Sequence, residues 1–384
     1  MHKIIRSAAV VMALSVFAAA QGCVVRVNPG TTPEQKDQPV YATAPAGQSQ
    51  QVVQAAAVND AVVTEQLRAS GVNVVDARKV TSKAVIAIPV FRNLSGNPAF
   101  EWLGAAFSET LASKLSNVSQ IRVVERSRLD EIFKEMELAQ SGMVDDKYAQ
   151  VGRLAGAQFL LVGAFQAVGE GQSAMLKVST RVVDVATGLA VEGQGATADG
   201  QFRELFGLQD RMAERAAINL AADLKMDIPP DEMKKLQIKD TDSVTAYELY
   251  WIAIGDRDPL RRIELLRRAI SFDKGYAKAY MSLASNIFQV TMLQPQATEL
   301  EAAIDQATRL DPSLGEAWNI AGTYYDRLSF YLKQRGEQQH AQDSARTAVA
   351  DYRKFIELKG GSDSVYMKGQ VARAKRRVEE LSRL

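Results

Sequence analysis

The pair Pro229-Pro230 divides this 384-residue chain into two stretches with different periodicities. Upstream, short apolar runs alternate with amphipathic stretches of helical spacing. Downstream, the remainder reads as helix alone. Runs of the first kind are buried by a sheet with helices laid on it, whereas helices without strands must bury their stripes against one another. The expected fold is therefore α/β, a mixed sheet with flanking helices, followed by a C-terminal all-α region. Hydrophobic residues make up 47% of the sequence, enough for two domains, each with its own core.

In the first stretch, Ala84 to Phe91 is a continuous apolar run that suits a buried strand, and Arg92 to Pro98 reads as a polar turn. A helix is expected over Glu101–Leu115, where Leu103, Phe107, Leu111 and Leu115 recur four apart. A strand follows over Ile121–Glu125, then a helix from Ser127 and another from Asp145-Asp146 to Ala155. Three strands come next, Gln158–Val168, Ala174–Val185 and Leu189–Thr197, with turns at Gly169–Gln172 and Ala186–Gly188. In the middle one, Leu176, Val178, Thr180 and Val182 alternate with Lys177, Ser179 and Arg181, which predicts one buried and one wet face. A closing helix is expected over Phe202–Leu224.

At the N-terminus, Lys3 and Arg6 precede an apolar run from Ala8 to Ala20, and Gln21-Gly22-Cys23 follows. The run is shorter than the roughly twenty residues a bilayer core requires, so it reads as a secretory leader. A small residue before a cysteine at such a leader's end resembles the lipobox of bacterial lipoproteins. The resemblance implies cleavage after residue 22 and acylation of Cys23, with diacylglycerol and a further chain such as palmitate, and two or three chains hold a protein on a membrane. With Val24 rather than Asp after the cysteine, it also implies the outer membrane of a Gram-negative envelope, facing the periplasm. The alternative is an ordinary secreted protein cleaved near Ala20, with Cys23 a free thiol. Residues 23–80 read as a flexible tether, rich in Gln, Pro, Ala, Thr and Gly at its start, with a short helix over Ala55–Ser70 and a lead-in strand over Val72–Val80.

Charge and residue usage remove several classes of function. Without Lys3 and Arg6, the 46 basic residues fall to 44 against 45 acidic, a balance that does not recruit nucleic acid. Cys23 is the sole cysteine, and of two histidines only His340 survives loss of the leader. Zinc sites of His and Cys cannot be assembled, and any Ser-His-acid set would have to use His340, in a polar stretch that reads as surface. No cofactor, metal site or catalytic residue is expected, and the protein is read as a non-enzyme. Asp145 and Asp146 are too close along a helix to make an acid/base pair and are better explained as helix capping. The Arg92–Asn97 patch lies where open sheets bind ligands, but a turn needed by the fold explains it better. Gly169-Glu170-Gly171 and Gly193-Gln194-Gly195 lack the context of a phosphate cradle and read as hairpin glycines.

Five segments then carry a resemblance. Phe91-Arg92-Asn93-Leu94-Ser95-Gly96, Glu101-Trp102-Leu103-Gly104, Val123 to Ile132, Gly156 to Gly163 and Val182 to Gly188 resemble, in order and spacing, the CsgG-type periplasmic domain, over about residues 84–226. The superfamily includes the curli secretion lipoprotein, TolB-like N-terminal domains, a flagellar-envelope lipoprotein and a lipoprotein activator of a peptidoglycan synthase. The resemblance implies the fold, the anchor and the compartment. The curli protein's pore hairpins need about twenty or more residues each, and the candidate joints here, Gly169–Gln172 and around Asp199-Gly200, are too short, so no channel is expected.

After a linker over residues 227–244, the helical part, 245–384, repeats internally. Ala269/Ala307, Asp273/Asp311, Ala279/Ala317 and Tyr280/Trp318 are each 38 apart. This resembles tetratricopeptide repeats, whose usual period is about 34, with Ala at close contacts and Pro312 after the second helix. The third unit, Glu316–Leu358, is stretched by the Tyr331–Ala341 region. Lys368–Arg383 reads as a basic capping helix of mixed charge. Such arrays expose grooves that take peptides or helices. The expected function is an envelope lipoprotein acting as a scaffold or assembly factor, with protein partners on the repeats, the α/β domain as a further surface, and homo-oligomers compatible with it. The alternatives are a ring-forming component of a curli-type secretion apparatus and a carboxylate hydrolase.

Overall fold

The computed structural model describes residues 83–136, 145–291, 298–362 and 364–383. Cys23, the leader, the tether and the elements expected over Ala55–Ser70 and Val72–Val80 lie outside the described residues.

Six strands form one mixed sheet in the order β3-β1-β4-β5-β6, with β2 also paired to β4. β1 (Ala84–Ala87) runs parallel to both β3 (Ile121–Val123) and β4 (Phe159–Val168). The strand expected to continue to Phe91 stops at Ala87, because Pro89 has no N–H to give a neighbour. Pairing resumes at β2 (Arg92–Asn93), which lies parallel to β4 with Arg92 opposite Ala164. The first two residues of the expected turn are thus strand. β5 (Met175–Asp184) and β6 (Ala190–Gln201) add antiparallel ribbons.

β6 differs from expectation in two ways. Asp199-Gly200, read as a joint, lies inside the strand, and so do Gly193 and Gly195, read as hairpin glycines. The pairing register shifts between Arg181 and Val183, where residues 191–194 bulge out of the ladder, and Gly193 takes the left-handed φ of +74° there. Gly169 and Gly171 do sit in the β4–β5 turn.

Alternation along β4 explains the layers. Phe159, Leu161 and Phe165 face one way, packing under α1 (Trp102–Leu115) and α4 (Leu205–Asp223), while Leu160 and Val162 face α2 (Arg126–Glu135) and α3 (Asp145–Ala155). Two glycines in the resembling segments admit Phe91 to this arrangement. A Cβ on Gly163 would lie 2.2 Å from the Phe91 ring, and one on Gly104 2.4 Å from the Phe91 carbonyl oxygen.

The segment expected as a linker carries α5 (Pro230–Lys235), and the Leu236 that follows is fully buried. Beyond it come α6 (Val244–Gly255), α7 (Pro259–Phe272), α8 (Ala277–Val290), α9 (Thr298–Leu310), α10 (Gly315–Gln334), α11 (Gln338–Lys359) and α12 (Val365–Leu381). Their starts are written locally: Ser243 accepts the Ala246 N–H at 3.1 Å, Asp258 accepts that of Leu260 at 2.9 Å ahead of Pro259, and Ser364 accepts that of Met367 at 3.2 Å. Successive helices pack side by side, and α10 and α11, at 20 and 22 residues, are the longest, in the unit expected to be stretched. The described residues form one compact unit, and one continuous apolar cluster runs from Phe107 and Leu161 in the sheet layer through Leu236 and Tyr247 to Ala321 and Tyr324 in α10.

Filling the space at Gly163 forces Phe91 off its seat, so Gly163→Ala is expected to lower the unfolding free energy by about 1–3 kcal/mol. Urea denaturation checks this, and an unchanged midpoint contradicts the packing described.

Candidate docking surface

The helices are held to the sheet domain by buried polar groups. The Lys114 ammonium, on α1 and 3% exposed, donates to the Leu236 and Ile238 carbonyls at 2.6 and 2.8 Å and pairs with Asp210 of α4 at 2.7 Å. On α6, the Tyr247 hydroxyl donates to the Ala106 carbonyl at 3.1 Å, accepts from the Gln209 amide at 2.9 Å and lies 2.6 Å from Thr110 Oγ1. Burial pushes this phenol far up, so it stays a neutral donor. Trp102, Phe206 and Trp251 pack edge-on around the Tyr247 ring. The far end of the helical region is tied as well. Ser362 donates to Glu125 at 2.7 Å, and the Tyr366 N–H, in the first turn of α12, donates to Glu131 at 2.8 Å.

Between those ends, an apolar hollow of about 310 Å³ opens among α7, α8 and α9. Ile270, Leu283, Ala302, Ala303 and the half-buried Tyr280 line it, with Gln306 at its side. Arg267 and Glu299 close its rim through a bidentate pair at 2.7 and 2.6 Å. Each holds the other ionised: the pair raises Arg267 and lowers Glu299. The arrangement is an apolar seat with a charged clasp, suited to a side chain from another molecule and offering no reacting group.

The seven residues picked from the repeat fall into three groups. Ala269, Ala279, Ala307 and Ala317 are buried at helix contacts, Tyr280 and Trp318 are half-buried, and Pro312 is exposed, its carbonyl accepting the Trp318 indole N–H at 2.9 Å. Only Tyr280 among them lines the hollow. His340 is exposed beside Glu337. The Arg92–Asn97 patch spends its amides on itself: Asn93 Oδ1 accepts the Ser95 N–H at 3.0 Å, its Nδ2 donates to the Asn97 carbonyl and to Glu101, both at 3.0 Å, and Asn97 caps Ala99. Arg92 itself borders a second hollow of about 260 Å³ with Tyr148, Ser179 and Arg181. Sequence reasoning missed Lys114, Tyr247, Glu125 and Glu131; the one available signal was the aromatic crowding of Tyr247, Tyr250 and Trp251 on α6.

The α/β part has a match among known families. The model for the curli production assembly/transport component CsgG matches residues 68–201. The chain carries a CsgG-like domain. No curated protein matches it. Among solved structures, the LpoB C-terminal domain from Salmonella enterica is 19% identical, covering 36% of this chain and 90% of its own, with a TM-score of 0.25. Lipoprotein GNA1162 from Neisseria meningitidis is 18% identical over 31% of this chain and 80% of its own, TM-score 0.25. The PelC dodecamer from Paraburkholderia phytofirmans is 16% identical over 38% and 92%, TM-score 0.24. Among the described residues, no helix is long and apolar enough to cross a membrane, and no group of three or more His, Cys, Asp or Glu is placed to hold a metal ion.

One carboxyl of the helical region is raised far enough to titrate near neutral pH. Asp351, on α11 and 8% exposed, is raised from 3.8 to about 7 by burial and then by Asp305, and its Oδ2 has no hydrogen-bond partner. The folded state therefore holds a proton that the unfolded chain releases near pH 3.8, and the stability this contributes is lost as pH rises toward about 7. Urea midpoints of the wild type are expected to fall across that window, and Asp351→Asn is expected to remove that part of the fall. An identical pH slope in the variant contradicts this placement of Asp351.

Proposed function

We propose that the protein is a non-enzymatic envelope scaffold, lipid-anchored through Cys23 on the periplasmic side of the outer membrane, that docks protein partners on tetratricopeptide-like helices fixed to a CsgG-like domain. The observation that carries the docking reading is the apolar seat at Tyr280. It sits between neighbouring helices, its rim charges neutralise each other, and it contains nothing that reacts. A partner suited to it presents an apolar side chain from a helix or an extended segment, with polar groups to meet Arg267 and Glu299. Support for the anchor is the leader and Gly22-Cys23. Support for the envelope role is the CsgG-like domain, whose family is described as a curli production assembly/transport component.

Two measurements test this. A photo-crosslinking amino acid at position 280 of the full chain, in producing cells, is expected to capture one protein in stoichiometric yield. Tyr280→Asp is expected to weaken equilibrium binding of that same protein, once purified, by about 2 kcal/mol or more, the loss typical of a central aromatic anchor. A site at 280 that captures nothing removes the docking reading. For the anchor, labelled palmitate is expected to enter the wild type and not Cys23→Ser, and equal labelling of both contradicts lipidation at Cys23.

A further inference from the structure

The two edges of the sheet are unlike. β3 is three residues long, and beside it the Ser119 N–H donates to Glu232 at 2.9 Å and the Gln120 amide to the Asp227 carbonyl at 2.9 Å, so the chain leading into α5 covers that side. β6 is twelve residues long and ends the strand order with no described neighbour beyond it. From Gly195 to Gln201 it pairs regularly with β5. It contains no Lys, Arg or Pro, the residues by which sheet edges are usually kept from joining others.

The direction of its backbone groups follows from two bonds. The Gln201 N–H donates to Glu204 at 3.2 Å, and the Asp199 carbonyl accepts from Arg211 at 3.3 Å, so both residues turn their peptide groups away from β5. Residues two apart on an antiparallel strand share that direction. Thr197 and Gly195 therefore point their N–H and C=O outward as well, with no bond to them among the described residues. Beside this stretch lies a hollow of about 480 Å³, floored by Ala196 and Ala198 and walled by Arg211, Met212, Arg215 and Ile218 of α4. Asp199 and Glu214 complete its charges, so acids and bases balance and two such surfaces do not repel each other.

We infer that β6 is a self-association edge: two copies of this chain join their sheets antiparallel about a two-fold axis through Ala196. In that register Thr197 of each copy lies opposite Gly195 of the other, and the outward groups of both residues are satisfied in four reciprocal hydrogen bonds. Gly195 lets the two backbones approach. Along α4, Ile218 lies seven residues past Arg211, a rise of roughly 10 Å. Along β6, Ala196 lies three residues before Asp199, again roughly 10 Å. Ile218, 48% exposed, is therefore level with the axis, and the symmetry brings the two Ile218 side chains together across it. The joint is independent of the Tyr280 seat, which lies on other elements.

Sedimentation equilibrium of the full chain in detergent tests the pairing. The wild type is expected to form dimers at micromolar concentration. Thr197→Pro, which removes only an N–H facing solvent in the monomer, and Ile218→Arg are each expected to raise the dissociation constant about tenfold or more, with the circular dichroism spectrum unchanged. Ala196 sits opposite its copy with Cα atoms about 4.5 Å apart, so Ala196→Cys is expected to form a 196–196 disulfide on mild oxidation, identified by mass spectrometry. A monomer at every concentration overturns the inference. So does an assembly unaffected by both surface variants, or an Ala196→Cys variant whose introduced thiol stays reduced.

Discussion

A buried ammonium has to be paired, and the partners Lys114 finds decide how this molecule is built. It stands on a helix of the sheet layer yet satisfies two carbonyls from the segment that leads to the helical region, with Asp210 supplying the opposite charge. Those carbonyls have no regular secondary structure to bond to, and without Lys114 the Leu236 carbonyl would be buried unpaired and the half-buried Asp210 would lose its cation, a loss of about 1–3 kcal/mol. The Tyr247 hydroxyl repeats the logic one helix further on, gathering donors and acceptors from α1 and α4. What a sequence reader takes for a linker is thereby drawn into the core. The contacts of Glu125 and Glu131 with the start of α12 fix the other end, so the helical region is a strap fastened at both ends.

The sheet and its helices were legible wherever a period could be counted. The four-residue spacing of Leu103, Phe107, Leu111 and Leu115 marked α1, and the alternation of Leu176, Val178 and Val182 with Lys177 and Arg181 marked β5 and its two faces. Gly, Pro and Asn positions misled where one residue type serves several backbones. Gly193 served a bulge and not a turn, Asp199-Gly200 stayed in a strand because the ladder with β5 continues through Lys177 and Leu176, and Pro89 ended a run that hydrophobicity alone would have carried to Phe91. The docking hollow was half legible. Tyr280 was found through its spacing from Trp318, but Arg267 and Glu299 meet only after α7 and α9 are packed. Lys114 carried no signal at all, since a lysine beside an apolar stripe reads as its solvent border.

The same architecture separates two kinds of contact. The Tyr280 seat is made by helices α7–α9, far along the chain from β6, and rests on side chains. The β6 edge rests on the main-chain groups of Gly195 and Thr197, which no side chain among the described residues satisfies. A scaffold with both can bind another protein through one and its own copy through the other. The rigid attachment of the helices to the sheet domain keeps the two at a fixed spacing, which a flexible joint at 227–244 would not.

That attachment is the claim on which the rest depends, and equilibrium unfolding measures it directly. Trp102 and Trp251 sit at the seam around Tyr247, and backbone circular dichroism reports the whole helical region. If Lys114 and Tyr247 bind the sheet layer and the helices into one core, tryptophan fluorescence and circular dichroism lose their native signals in a single coincident urea transition. Two separated transitions, with helices surviving after the seam tryptophans are exposed, would contradict it.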